Sequence, residues 1–236
     1  MGSREKAAVL SLGGSIVAPD GPDAGFLAGF AELAGEFLAE SGERRLVVVV
    51  GGGGPARAWQ RAYRDACMGL GREPEDGEAD WIGVMATRLN AQLVKAALGG
   101  LCVQDVVLDP TAAPDIAGRA LVAAGWKPGF SSDYDAVLLA LRYGARTVAN
   151  LSNIERVFTA DPRLDPAARP LDSISWEGFR AMVGDEWVPG KSAPFDPIAS
   201  RAAHEAGMRV ICADGRNLAN LRKILAGREF AGTVIG

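Results

Sequence analysis

The chain has 236 residues, 48% of them hydrophobic and 23% charged, with a formal net charge of −4. Such a composition excludes a disordered chain, and the length suffices for one large α/β domain or two small ones with proper cores. The acidic balance excludes nonspecific binding to nucleic acid or to a membrane surface, so an anionic substrate must be met by locally placed Lys and Arg. Cys67, Cys102 and Cys212 are widely spaced in apolar contexts, as expected of free thiols in a reducing cytoplasm and not of a metal site. No apolar stretch reaches the ~18 residues of a membrane span, and residues 1–6 show no signal-peptide pattern, so a soluble cytoplasmic protein is expected.

In chain order, residues 7–12 form an apolar run without alternation, read as a strand buried on both faces, that empties into Ser11-Leu12-Gly13-Gly14-Ser15. Phe26, Leu27, Phe30, Leu33, Phe37 and Leu38 mark an amphipathic helix. A second strand at 46–50 runs into Gly51-Gly52-Gly53-Gly54, and Pro55 suits the first position of the next helix, which Trp59, Tyr63, Cys67 and Leu70 mark. The polar stretch 71–78 reads as a loop, Asp80 as a helix start, and Leu89, Leu93, Val94 and Ala97 as that helix's stripe. Strands are expected at 101–108 and 147–151, with a helix at 133–141 between them. Beyond these come a helix at 175–182, a loop at 185–195, and a helix at 197–206 with Asp196 as its cap and Pro197 first. A strand at 209–212, a helix at 218–226 and a last strand at 232–235 complete the alternation, which predicts a doubly wound α/β sheet. A single domain spans 1–236, softly divided near residue 145.

Chemistry concentrates where strands empty into turns. A strand, a glycine run and a helix start bring backbone N–H groups to an anion, although tight packing explains a lone glycine turn equally well. Two such turns on parallel strands favour one shared anion site. Neither is followed by Gly-Lys-Ser/Thr, and neither has the dinucleotide spacing. The turn Gly125 to Asp133 adds Lys127 and ends in Ser131-Ser132-Asp133, where a cap at Ser132 or Asp133 is the plainer reading. Ser152-Asn153, then Phe158 and Asp161, follow a strand's carboxyl end, where α/β sheets bind ligands. Lys191 lies in a loop, and His204, the sole histidine, reads as solvated on a helix face. Histidine chemistry is therefore largely excluded, but phosphoryl transfer to a phosphate needs no base: with a second pKa near ~6 the acceptor oxygen is already nucleophilic at neutral pH.

The ordered set SLGGS, VVVVGGGGPAR, DWIGVMATRLNA, PGFSSD, SNIERVFTADPR, FDPIA and GTVI resembles the amino acid kinase superfamily, and within it most closely the uridylate kinases of the archaeal type. The resemblance runs from Val9 to Ile235. It implies a three-layer αβα sandwich with a mainly parallel sheet, in which ATP and Mg²⁺ phosphorylate UMP to UDP in a homo-oligomer, typically a hexamer. It further implies an N-terminal acceptor half and a C-terminal nucleotide half. By matching position, Gly14, Ser15, Gly53 and Arg57 would meet the ATP phosphates, and Ser152, Asn153, Phe158 and Asp161 would hold the nucleotide. Gly52, Asp80, Trp126, Lys127, Pro128, Gly129, Phe130, Ser131 and Ser132 would hold UMP, with Asp80 on the ribose. Arg57, with Lys191 or Lys127, would neutralise the γ-phosphoryl group. Asp133 would orient the site or the Mg²⁺, and is preferred to Asp135 because it keeps the spacing to Ser152. The chain departs from the superfamily at Ser11, where many members carry lysine, at Glu155-Arg156 in place of Asp-Gly, and at Phe158 in place of tyrosine. The alternatives on the same fold are an ATP- and oxyanion-binding storage protein of the molybdenum type and a kinase for another acceptor, such as isopentenyl phosphate.

Overall fold

Along Arg45–Val50 successive side chains enter opposite faces of a sheet: Val47 and Val49 join one apolar cluster, Leu46, Val48 and Val50 the other. A strand buried on both sides is what a parallel sheet covered by helices requires. In the computed structural model, which describes residues 7–186 and 193–236, this strand is β2. With it stand β1 (Ala7–Leu12), β3 (Ala120–Ala123), β4 (Thr147–Ser152), β5 (Ser173–Ile174), β6 (Arg209–Asp214) and β7 (Thr233–Ile235), in the order β3-β2-β1-β4-β6-β7-β5. The first five in that order are parallel; β7 is antiparallel to β6, and β5 parallel to β7.

The helices are α1 (Gly14–Val17), α2 (Ala24–Ala39), α3 (Gly53–Gly69), α4 (Asp76–Leu98), α5 (Ser132–Arg142), α6 (Trp176–Val183), α7 (Pro197–Glu205) and α8 (Leu218–Leu225). Buried residues of α5, α6 and α7 cover the Val47/Val49 face, and those of α2, α4 and α8 cover the other. The result is the expected three-layer αβα sandwich. Among the described residues no helix is long and apolar enough to cross a membrane, and all three cysteines are free.

The strand expected at 101–108 does not form. The neighbour of β2 is Ala120–Ala123, all four residues buried, and the 101–108 run touches the sheet through a bridge from Val107 to Ala123. Gln104 and Asp105 interrupt that run: Gln104 Oε1 accepts the Ala117 N–H at 2.7 Å, Asp105 pairs with Lys95 at 3.0 Å, and Val103 stays 62% exposed. Such a segment cannot be covered on both faces. Three boundaries also move. α3 starts at Gly53, two residues before Pro55; α4 starts at Asp76, so Asp80 lies in its second turn; and Ser131, not Ser132 or Asp133, caps α5 by accepting the Tyr134 N–H at 3.2 Å. The stripe Trp59 to Leu70 is helical as expected but faces away from the core, for α3 has no buried residue and Trp59 and Leu70 are each 67% exposed. Lys191 lies outside the described residues.

Candidate active site

The two glycine turns are interleaved. Gly13 donates to the Leu151 carbonyl of β4 at 2.8 Å, and Gly51 donates to the Leu12 carbonyl of β1 at 2.9 Å. A Cβ on Gly14 would stand 2.1 Å from the Gly53 nitrogen, and one on Gly51 would stand 2.6 Å from the Gly14 nitrogen. Gly53 also adopts a φ of +66°, open to glycine at little cost. The packing reading of the glycines therefore holds, and Gly52 and Gly53 also line a cavity of about 340 Å³.

Three segments build that cavity. The β2–α3 turn supplies Gly52, Gly53, Ala56 and Arg57. Helix α4 supplies Asp80, Gly83, Val84 and Thr87, a spacing that puts them on one helix face. The turn after β3 supplies Lys127, Pro128, Gly129, Phe130, Ser131 and Ser132, and Asp196 closes one side. Thr87 and Asp80 tie the second wall to the third: Thr87 Oγ1 accepts the Gly125 N–H at 2.7 Å, and Asp80 Oδ2 accepts the Gly129 N–H at 3.3 Å. Lys127 is exposed, its Nζ 3.8 Å from the centre of the Trp126 ring and 5.3 Å from that of Phe130. Arg57 is exposed and donates to the Pro19 carbonyl at 3.3 Å. Its guanidinium keeps four N–H groups beyond that bond.

The structure thus brings together on one cavity all the residues expected to hold the acceptor except Trp126, which stands behind the loop, together with Gly53 and Arg57. Gly14, Ser15, Ser152, Asn153, Phe158 and Asp161 do not line it. They lie at the carboxyl ends of β1 and β4 and in the segment that follows. There the Ser152 carbonyl accepts the Gly215 N–H at 2.9 Å, and Arg216 donates to the Ser15 carbonyl at 3.2 Å. Asp161 is engaged locally: both its oxygens meet Arg163, at 3.1 and 2.8 Å, which holds its carboxyl below the usual range.

Asp133 sits between the layers. Its Oδ1 accepts the Ser11 hydroxyl at 2.8 Å and its Oδ2 the Asp196 N–H at 3.2 Å. Asp133 is half-buried, and burial pushes its carboxyl up to about 6 against those two bonds. Ser11 reaches it because Val9 and Ser11 share the face of β1 that packs on α5. Asn150, buried in β4, donates to the Pro194 carbonyl at 2.7 Å and so sets the segment that carries Asp196. Asp196 in turn caps α7, as expected, by accepting the Ala199 N–H at 2.8 Å. His204 is half-buried, stacked on Trp176 and 3.3 Å from Glu177, away from the cavity.

Sequence reasoning passed over Asn90. It is buried, and its Nδ2 donates to the Gly51 and Gly52 carbonyls at 2.9 and 3.0 Å. The Gly51 carbonyl precedes the Gly52 N-cap and so lies outside the hydrogen-bond ladder of α3, and the amide supplies its partner. The signal was the spacing: Asn90 follows Thr87 by three residues, on the helix face that meets the glycine turn.

The amino acid kinase family matches residues 6–214 of this chain. The uridylate kinase of Methanospirillum hungatei is 36% identical over 230 residues, covering 96% of this chain and 93% of that protein. That of Methanocorpusculum labreanum is 34% identical over 233 residues, covering 97% and 94%. Among solved structures, the uridylate kinase from Archaeoglobus fulgidus is similar with a TM-score of 0.79 at 28% identity, over 97% of this chain and 99% of that one.

Proposed function

The chain belongs to the amino acid kinase family, and we propose on that premise that it is a uridylate kinase: it transfers the γ-phosphoryl group of ATP to UMP, giving UDP and ADP. The observation that carries the reading is likeness along the whole length, 36% identity over 96% of the chain, to a uridylate kinase. The cavity between the β2–α3 turn and residues 127–132 supports it, as it has the size of a small-molecule site and brings both backbone and cationic groups to one place.

A phosphate oxygen of UMP attacks the γ-phosphorus, and the bond to the β,γ-bridging oxygen breaks to release ADP. No base is needed, because the acceptor phosphate is largely dianionic at neutral pH. What remains is alignment and charge neutralisation. Arg57 and Lys127 line the acceptor cavity and would neutralise charge there, and Asp80 would hold the ribose. The turns at Gly14-Ser15 and Ser152-Asn153 end parallel neighbours β1 and β4, the edge at which such sheets take ligands, which supports a donor site there. Phe158 and Asp161 would border it.

Mg²⁺ would enter on the ATP phosphates. Among the described residues no group of three or more His, Cys, Asp or Glu forms a metal cage, which fits an ion that keeps its waters and takes one or two carboxylates plus phosphate oxygens. Asp133 would be the carboxylate that orients its water shell, and the ion would supply charge neutralisation to the donor.

We infer a cytoplasmic homo-oligomer, hexameric by the resemblance. The exposure of Trp81, Met85 and Leu89 on one face of α4, with Trp59 exposed on the α3 packed beside it, supports association through these two helices. Light scattering at micromolar concentration tests it, and a monomer overturns it. For the activity, ADP release is measured with UMP, CMP, AMP and dUMP. UMP is expected to be turned over fastest, and no turnover with UMP beside good turnover with another acceptor would sink the reading. Neither the storage alternative nor the isopentenyl phosphate kinase gains a supporting observation.

A further inference from the structure

One buried acid has no part in the reaction described above. Asp135 is wholly inaccessible; its Oδ2 accepts the N–H of Trp126 at 3.1 Å and its Oδ1 has no partner. The geometry around Trp126 gives that bond a purpose. The Trp126 carbonyl accepts from Arg88 of α4 at 3.1 Å, and the preceding N–H, of Gly125, is taken by Thr87. The root of the 126–131 turn is therefore held through the Gly125 N–H and the Trp126 carbonyl from α4 on one side, and through the Trp126 N–H from α5 on the other. The far end of the turn is also tied to α5, through the Ser131 cap. Between the two ties the rings of Trp126, Phe130 and Tyr134 stand 5.0 Å apart in sequence.

We propose that Asp135 is a positioning residue for the acceptor: through the Trp126 N–H it fixes the height of residues 127–130 over the cavity, and so the affinity for the phosphorylated acceptor. The proposal rests on the acceptor reading of that cavity. A residue that only stabilised the fold would not need to be an acid. An ionised carboxylate with a single hydrogen bond in a closed interior carries a large desolvation penalty. The single hydrogen bond and closed surroundings of Asp135 favour its neutral form over the ionised one. Asparagine reproduces that neutral form, an acceptor oxygen beside a donor. Leucine has the same branching and no acceptor.

The test compares Asp135→Asn and Asp135→Leu with the parent protein in steady-state kinetics and in amide hydrogen exchange. In Asp135→Leu the KM for UMP should rise about tenfold or more while the KM for ATP stays within about twofold; in Asp135→Asn both should stay within about threefold. The Trp126 amide should exchange slowly in the parent and in Asp135→Asn, and about tenfold or more faster in Asp135→Leu. An unchanged UMP KM in a folded Asp135→Leu, equal rises for both substrates, or a loss of UMP affinity in Asp135→Asn overturns the proposal. If Asp135→Leu does not fold, Asp135→Asn and the parent's Trp126 exchange still decide it. The exchange measurement uses no substrate, so inactivity toward UMP would count against the acceptor reading alone.

Discussion

Replacing Asn90 with leucine removes the side chain that binds the glycine turn while keeping its branching and approximate bulk. Two carbonyls lose a partner, those of Gly51 and Gly52, held at 2.9 and 3.0 Å. They are not equivalent. The Gly52 carbonyl keeps the Ala56 N–H at 3.4 Å, so it forfeits one ordinary bond, about 1 kcal/mol. The Gly51 carbonyl precedes the Gly52 N-cap, outside the hydrogen-bond ladder of α3, and is left as a buried acceptor at about 2 kcal/mol. The sum, about 3 kcal/mol, should lower the melting temperature by about 6–12 °C in a chain of this size. Urea unfolding of the two proteins measures it directly, with equal m-values as the check that the transition has not changed character. Because α3 starts at this turn, the KM for UMP should rise in parallel. A loss below about 0.5 kcal/mol with an unchanged UMP KM would refute the reasoning, since it would mean that water or a backbone shift satisfies Gly51 at no cost.

Gly14→Ala should cost about 3 kcal/mol or more or abolish folding, because its Cβ would stand 2.1 Å from the Gly53 nitrogen and 2.5 Å from the Gly52 carbonyl carbon; urea unfolding within about 1 kcal/mol of the parent would contradict the interleaved turns. Arg57→Ala should lower kcat/KM for UMP by about 10²–10³-fold with an unchanged circular dichroism spectrum, as α3 contributes nothing to the core; a change under threefold would remove Arg57 from the reaction. Burial raises Asp133 to about 6 and Asp135 to about 7, from 3.8 when unfolded. The native state therefore binds the extra protons, and their stabilisation is full below about pH 4 and lost as pH rises through the folded values. Asp135→Asn removes one of the two groups, so it should gain on the parent by about 3 kcal/mol between pH 5 and pH 8; a constant difference between those two pH values would contradict a buried, protonated Asp135.

The legible parts of the molecule were local in sequence. Five of the strands and all the long helices announce themselves by unbroken apolar runs or helical spacing, and the cavity-lining turn after β3 by its Gly, Pro and Lys content between a strand and a helix. β3 was missed because Ala120, Leu121, Val122 and Ala123 are too small and too few to stand out beside the longer 101–108 run, whose Gln104 and Asp105 nonetheless disqualify it. The exposed face of α3 was unreadable for a different reason. Amphipathic spacing says that a helix has an apolar side, not what covers it. Ser11 meets a third limit: it acts on Asp133, a partner brought near by the sheet from 122 positions away, so nothing in a window of neighbouring residues marks that bond.

The glycine runs show why packing and phosphate binding were poor alternatives to choose between. If the β1 turn receives the donor phosphates and the β2 turn the acceptor, their separation must be fixed more closely than flexible loops allow, because in-line transfer gains its rate from alignment. Contact of backbone on backbone supplies that stiffness. The Gly14 amide and the Gly51–Gly53 main chain approach so closely that no side chain fits between them, and Asn90 anchors the same turn from α4. A lysine on β1 would bring its own charge to this junction. With Ser11 there instead, hydrogen-bonded to Asp133, positive charge has to come from residues on the cavity wall such as Arg57 and Lys127. On the proposed reading, the close fit of the glycines is the condition under which Arg57, carried on the helix that the turn begins, would meet both substrates from one position.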